Sequence, residues 1–164
     1  MSDQKTDQKT SQAGIDPRGP RFGAGITGVL LLVVIALSLL GATVAATVLF
    51  GAIVLVFAWG AFAGIRRHPY GLLFRALIRP RLKPPTELED PIPPTFAQGV
   101  GFVITAIGVI LTLLGLTLAL PIAAALAFVA AFLNSVFGYC LGCQIYLLLV
   151  RVGVLGRRRT TATA

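Results

Sequence analysis

The chain has 164 residues, of which 56% are hydrophobic and 12% charged, and its mean hydropathy is +0.88. A soluble domain carries about 25% charged residues, so the composition excludes one and places the chain in lipid. The net charge of +8 does not imply nucleic acid: the basic residues flank apolar blocks with no aromatic interleaving or base-reading motif, which fits anionic lipid headgroups.

In chain order, MSDQKTDQKTSQ contains DQKT twice and predicts a disordered polar tail over 1–14. A cleavable signal does not fit, because the apolar segments follow a polar start and are long and repeated. From Gly23 to Gly64 there is no Asp, Glu, Lys, Arg or His. A crossing needs ~20 apolar helical residues, so this block holds two spans, about 22–40 and 43–64, divided at Gly41. Next comes HPYGLLFRALIRPRL, in which Tyr70, Leu73, Phe74, Leu77 and Ile78 recur at helical spacing, with Arg75 and Arg79 on the other side. That pattern predicts an amphipathic helix over 69–79 lying flat on the headgroups, begun by Pro69 and ended by Pro80.

Residues 84–95 read as an extended, proline-rich acidic linker whose Glu87, Glu89 and Asp90 are solvated or pair with nearby arginines. The second charge-free block, Pro91 to Val150, holds spans at about 97–118 and 122–143, divided near Pro121, and an exit segment over 144–155. A basic disordered tail over 156–164 closes the chain.

All 14 Lys and Arg residues fall in the amino-terminal arm, the centre and the carboxyl end. With four spans those regions share one side, and the positive-inside rule makes it the cytoplasmic one, for both termini. The lead-in DPRGPRFGAGI (16–26) aligns without gaps on DPIPPTFAQGV (90–100), and PYGLLFR (69–75) aligns on IYLLLVR (145–151). The expected fold is therefore all-α. It is a four-transmembrane-helix bundle of two tandem helical-hairpin repeats of parallel topology, 15–83 and 96–155, plus the cytoplasmic interfacial helix. The shared Asp16 and Asp90 are read as turn or cap residues that start each hairpin.

The two cysteines, Cys140 and Cys143, stand three apart in FGYCLGCQIYLLL. The alignment sets Gly64 and Arg67 opposite them, which puts CLGC at the cytoplasmic membrane boundary, at the end of the fourth span. Two readings stay open there. The pair is a working dithiol in a reducing compartment, or two small residues that pack well; no helix amino terminus is expected directly before Cys140. Asn134 is read as interhelical hydrogen-bonding glue. Arg66, Arg67, Arg75, Arg79, Arg81 and Arg151 are the expected contacts to lipid headgroups or a partner. No metal or cofactor site is expected: His68 is the single histidine, and neither a second CxxC nor a phosphate loop is present.

DPRGPRF, HPYGLLFRALIRPRL, ELEDPIPPTFAQGVGF and FGYCLGCQIYLLL, in that order over residues 15 to 151, resemble an uncharacterised bacterial family of small integral membrane proteins, actinobacterial in type and known as a domain of unknown function. The resemblance implies a four-span protein of the cytoplasmic membrane in which the CLGC pair is a shared feature. It also implies a thioredoxin-like or sulfurtransferase-like neighbour, and hence thiol–disulfide exchange or sulfur transfer at Cys140 and Cys143. The rival expectations are a non-enzymatic scaffold or assembly subunit and a sulfur-compound permease, the latter opposed by charge-free spans. A bundle this thin also suggests an oligomer or a larger membrane complex.

Overall fold

Six α-helices form among residues 14–155, the part that the computed structural model describes. They are α1 (Arg18–Leu39), α2 (Thr43–Ala63), α3 (Pro69–Leu73), α4 (Ile92–Leu113), α5 (Ala119–Phe137) and α6 (Leu141–Arg151). The tails expected at 1–14 and 156–164 fall, Gly14 apart, outside the described residues. Of the six, α1, α2, α4 and α5 are long and apolar enough to cross a membrane.

The helix ends are set by backbone chemistry. At Gly41 (φ 78°) and Gly115 (φ 97°) the chain turns left-handed, where a side chain would strain it, and the carbonyls ending each helix are satisfied. Ala42 N–H thus donates to Leu37 C=O at 2.9 Å and Leu116 N–H to Leu111 C=O at 3.0 Å. The second hairpin turns at Gly115, a few residues before the expected break, and Pro121 lies in the first turn of α5, as expected of it, where its missing N–H costs nothing. In the same way α4 begins at Ile92, inside the expected linker, with Pro93 and Pro94 in its first turn. The segment expected as one helix over 69–79 is α-helical only through Leu73. It widens to a π turn over Phe74–Ile78 and ends in a 3-10 turn at Arg79–Arg81, because Pro80 can neither donate to nor sit beneath the carbonyl four residues back.

α1 packs chiefly on α5, and α2 on α4, with each hairpin also packed on itself. Apolar burial gives little drive between helices in lipid, so close approach and dispersion must supply it. Small residues provide the approach. A Cβ on Gly25 would stand 3.1 Å from Ser135 Oγ and one on Gly28 4.0 Å from Ala131 Cβ, whereas one on Gly101 would enter the Phe57 ring. The core comprises Leu31, Val34, Phe50, Ile53, Leu120 and a run of α5 alanines. The buried Thr105 hydroxyl donates to Gly101 C=O at 2.7 Å, so it does not face the apolar interior unpaired.

These antiparallel contacts gather the starts of α1 and α4, the ends of α2 and α5, and both short helices at one end of the bundle. Among the described residues every Asp, Glu, Lys and Arg lies at that end, and the opposite turns carry none. The two lead-ins fold alike: Asp16 Oδ1 accepts from Arg18 N–H at 3.0 Å, and Asp90 Oδ1 from Ile92 N–H at 2.9 Å. Each aspartate thus turns the chain into its helix, as expected of it. Asp16 also holds the Arg18 guanidinium through Nε at 2.9 Å and Nη2 at 2.8 Å. Ile15 and Glu89 exchange backbone hydrogen bonds at 2.9 Å, tying the first lead-in to the linker. Glu87, Glu89 and Asp90 are exposed and, among the described residues, form no ion pair with the nearby arginines.

Candidate dithiol site

The fourth span does not run through the cysteines to 143. It stops at Phe137, because Gly138 turns left-handed (φ 67°) and Tyr139 N–H closes back on Leu133 C=O at 3.1 Å. After this turn α6 begins at Leu141 with Cys140 as its N-cap. A helix amino terminus therefore does stand at the pair, contrary to the sequence expectation. The missed signal was Gly138 three residues before Leu141, an αL stop inside an apolar run.

The two sulfurs lie at disulfide distance, with Cα atoms 5.2 Å apart, within the range a disulfide spans. Cys140 Sγ accepts from Cys143 N–H at 3.3 Å, doing for α6 what a serine oxygen does at other helix starts. The first-turn N–H groups and the helix dipole favour negative charge there, and that lowers a thiol pKa. Both cysteines are half-buried, while Tyr139 beside them is exposed. Close packing fixes α6 itself: a Cβ on Gly142 would stand 2.6 Å from Ala97 Cα, and Tyr146 stacks on Phe96 with ring centroids 5.6 Å apart. On the other side the Arg21 guanidinium lies against Gly138, in the space that a Cβ there would take.

Gly64 (φ 83°) follows α2, and Gly138 follows α5. His68 then caps α3, its Nδ1 accepting from Tyr70 N–H at 3.3 Å, and Cys140 caps α6. The 3-10 turn Ile65–Arg67 separates Gly64 from its cap, whereas Cys140 stands two residues past Gly138. His68 is only 4% exposed and packs with Gln98 on Gly60; its Nε2 has no hydrogen-bond partner among the described residues, and burial pushes its pKa below the usual value.

The expected arginine contacts are spread over the charged end. Arg66, Arg67, Arg75, Arg79, Arg81 and Arg151 are all exposed. Arg75 Nη2 donates to Arg66 C=O at 2.9 Å, and Trp59 Nε1 donates to Arg67 C=O at 3.0 Å, so the first exit is pinned while its guanidinium groups stay outward. The Asn134 side chain finds no hydrogen-bond partner among the described residues, so the interhelical bond expected of it does not form there; the backbone carbonyl of Asn134 accepts from Gly138 N–H at 3.1 Å. Among the described residues no three of His, Cys, Asp and Glu gather as a metal set. What the arrangement offers chemically is a two-electron thiol pair at a helix start.

A family model described as a domain of unknown function (DUF4395) matches residues 15–151. The chain matches no curated protein and no solved structure.

Proposed function

The chain belongs to this family, and on that premise we propose that it is a multi-pass protein of the bacterial cytoplasmic membrane whose Cys140 and Cys143 exchange disulfides, or carry sulfur, with a soluble thioredoxin-like or sulfurtransferase-like protein. The observation that carries this reading is the placement of the pair: sulfurs at disulfide distance, with Cys140 capping α6, at the end of the bundle that holds the charged residues. That charge, unmatched at the opposite turns, supports cytoplasmic placement of this end and of both termini. The exposed arginines there, Arg66, Arg67, Arg75, Arg79, Arg81 and Arg151, meet anionic headgroups or the partner.

The capping geometry supports one order of attack. Cys140, at the helix start, is the better thiolate and attacks one sulfur of the partner disulfide. A mixed disulfide forms, and the partner's other sulfur leaves as thiolate and takes up a proton. Cys143, giving up its own proton, then attacks Cys140 Sγ and releases the second partner thiol. The partner gains two electrons and two protons, and the pair ends as the disulfide seen here. In the sulfur-transfer form, a partner persulfide gives its terminal sulfur to Cys140 and leaves as thiolate.

The tandem-repeat architecture belongs to the same proposal. It is supported by the matched Asp16 and Asp90 turns, by Gly64 and Gly138 ending α2 and α5, and by reciprocal pairing of α1 with α5 and α4 with α2. In it α3 and α6 are the two exit helices, and the segment Pro69–Arg81 lies at the interface.

The test is mixed-disulfide trapping in cells. Cys143→Ser should hold a partner on Cys140 that dithiothreitol releases, and Cys140→Ser should hold none. Absence of any trapped partner, together with full function of the double serine variant, would overturn the exchange reading in favour of a non-enzymatic scaffold. A membrane-impermeant thiol reagent should label Cys140 in inside-out vesicles; labelling only from the outer face would reverse the topology.

A further inference from the structure

We propose that Arg21 tunes the Cys140 thiol: its guanidinium, brought from the first turn of α1 onto the loop that carries the pair, stabilises the Cys140 thiolate and so sets its reactivity. The inference rests on the exchange reading above. Because α1 starts where α5 ends, Arg21 reaches over the α5 terminus and lies on Gly138, where any Cβ would overlap it. Cys140 is two residues on, at most ~7 Å of chain. That chain span is within the ~8 Å screening length of physiological salt. A guanidinium stays protonated at any pH at which a thiol titrates, and its field adds to that of the α6 amino terminus.

Little else at the site carries charge. Neither α4 nor α5, the helices against α6, holds an Asp, Glu, Lys, Arg or His. The loop and α6 contribute Tyr139, Tyr146 and, at the far end of α6, Arg151. On α1, Arg18 is bound to Asp16. Asp90, ahead of α4, is exposed and engaged by Ile92 N–H.

The other hairpin supplies an internal control. There Thr95, on α4, meets the chain just past Gly64, its Oγ1 accepting from Ile65 N–H at 3.2 Å. A short neutral hydroxyl is enough to bridge the helices at that place, where the cap that follows is His68. The cation stands at the end where the cap is a thiol.

The experiment uses the full chain in detergent with Cys143→Ser, which leaves Cys140 as the protein's one thiol, and follows iodoacetamide alkylation against pH. Arg21→Gln should raise the midpoint of the profile and slow alkylation at neutral pH about three- to tenfold, the change in thiolate fraction for a shift of half a unit to one unit. Arg21→Thr, which installs the residue the fold already uses at 95, should do the same, and Arg21→Lys should keep most of the parent profile. Equal midpoints for parent, Arg21→Gln and Arg21→Thr, with unchanged thermal unfolding, would overturn the inference. If Arg21→Gln fails to fold, the contrast between Arg21→Thr and Arg21→Lys decides. Partner trapping through Cys140 with Arg21 intact separates the two claims: a trapped partner beside an unmoved profile removes only the role of Arg21, and a moved profile with no trapped partner removes only the exchange.

Discussion

Gly142→Ala asks whether α6, and with it the thiol pair, is seated on α4. On a helix that touches nothing the substitution stabilises, since glycine is up to about 1 kcal/mol worse than alanine in a helix. Here the new Cβ would stand 2.5 Å from Ala97 Cβ and 2.6 Å from Ala97 Cα, where two carbons need ~3.5–4.0 Å. The first turn of α6 must therefore retreat by about 1 Å, loosening the Phe96–Tyr146 stack and carrying Cys143 with it. Overpacking a tight contact costs about 1–3 kcal/mol, which outweighs the propensity gain, so the net sign is destabilising. Each kcal/mol lost should lower the thermal midpoint by about 2–4 °C for a chain of this size, read by far-ultraviolet circular dichroism in detergent. Titration against glutathione should show the disulfide opening more readily. Adding Ala97→Gly should restore part of both losses, because it clears the Cβ contact and leaves the Cα one. A higher midpoint for Gly142→Ala, with an unchanged thiol equilibrium, would refute the seating of α6.

Three further expectations follow from the charged end and the core. The Arg18 guanidinium holds the Asp16 carboxyl below the usual carboxylate range, so its stabilisation is present above the unfolded value of 3.8 and lost as pH falls through the lower folded value. Asp16→Asn should accordingly cost up to about 1 kcal/mol at neutral pH, the solvent screening of the pair keeping the loss small, and the gap to the parent should close under acid in denaturant titrations. His68 behaves in the opposite chemical sense: burial lowers its pKa, so the unfolded chain binds the proton better and stability falls as pH drops below about 6.5. His68→Asn, which keeps an acceptor for Tyr70 N–H but does not titrate, should flatten unfolding midpoints between pH 7 and 5; a slope equal to the parent's would place the titrating group elsewhere. In the core, a side chain on Gly108 would collide with Ala123 and stand 3.1 Å from the Phe50 ring, so Gly108→Leu should cost about 1–3 kcal/mol or more, seen as a lowered thermal midpoint.

The four spans were legible in the sequence because a hydrocarbon solvent leaves one constraint in charge: every crossing is a charge-free helical run of fixed minimum length. The gathering of Lys and Arg at one end of the bundle, the turn at Gly41 and the turns made by Asp16 and Asp90 were likewise written locally, in residues whose chemistry acts within a few positions. Hydropathy could not say where the fourth helix stops. Gly138, Tyr139 and Cys140 are as compatible with a continuing span as with a break, and a glycine inside a membrane helix is ordinary. The tertiary structure made the break. The Arg21 side chain fills the space beside Gly138, and Gly142 lets α6 close on Ala97, contacts between segments far apart in the chain that no local pattern encodes. Those contacts turn Cys140 from the tail of a span into the cap of a new helix, and they bring a cation from the other end of the sequence onto Gly138, in the loop before it.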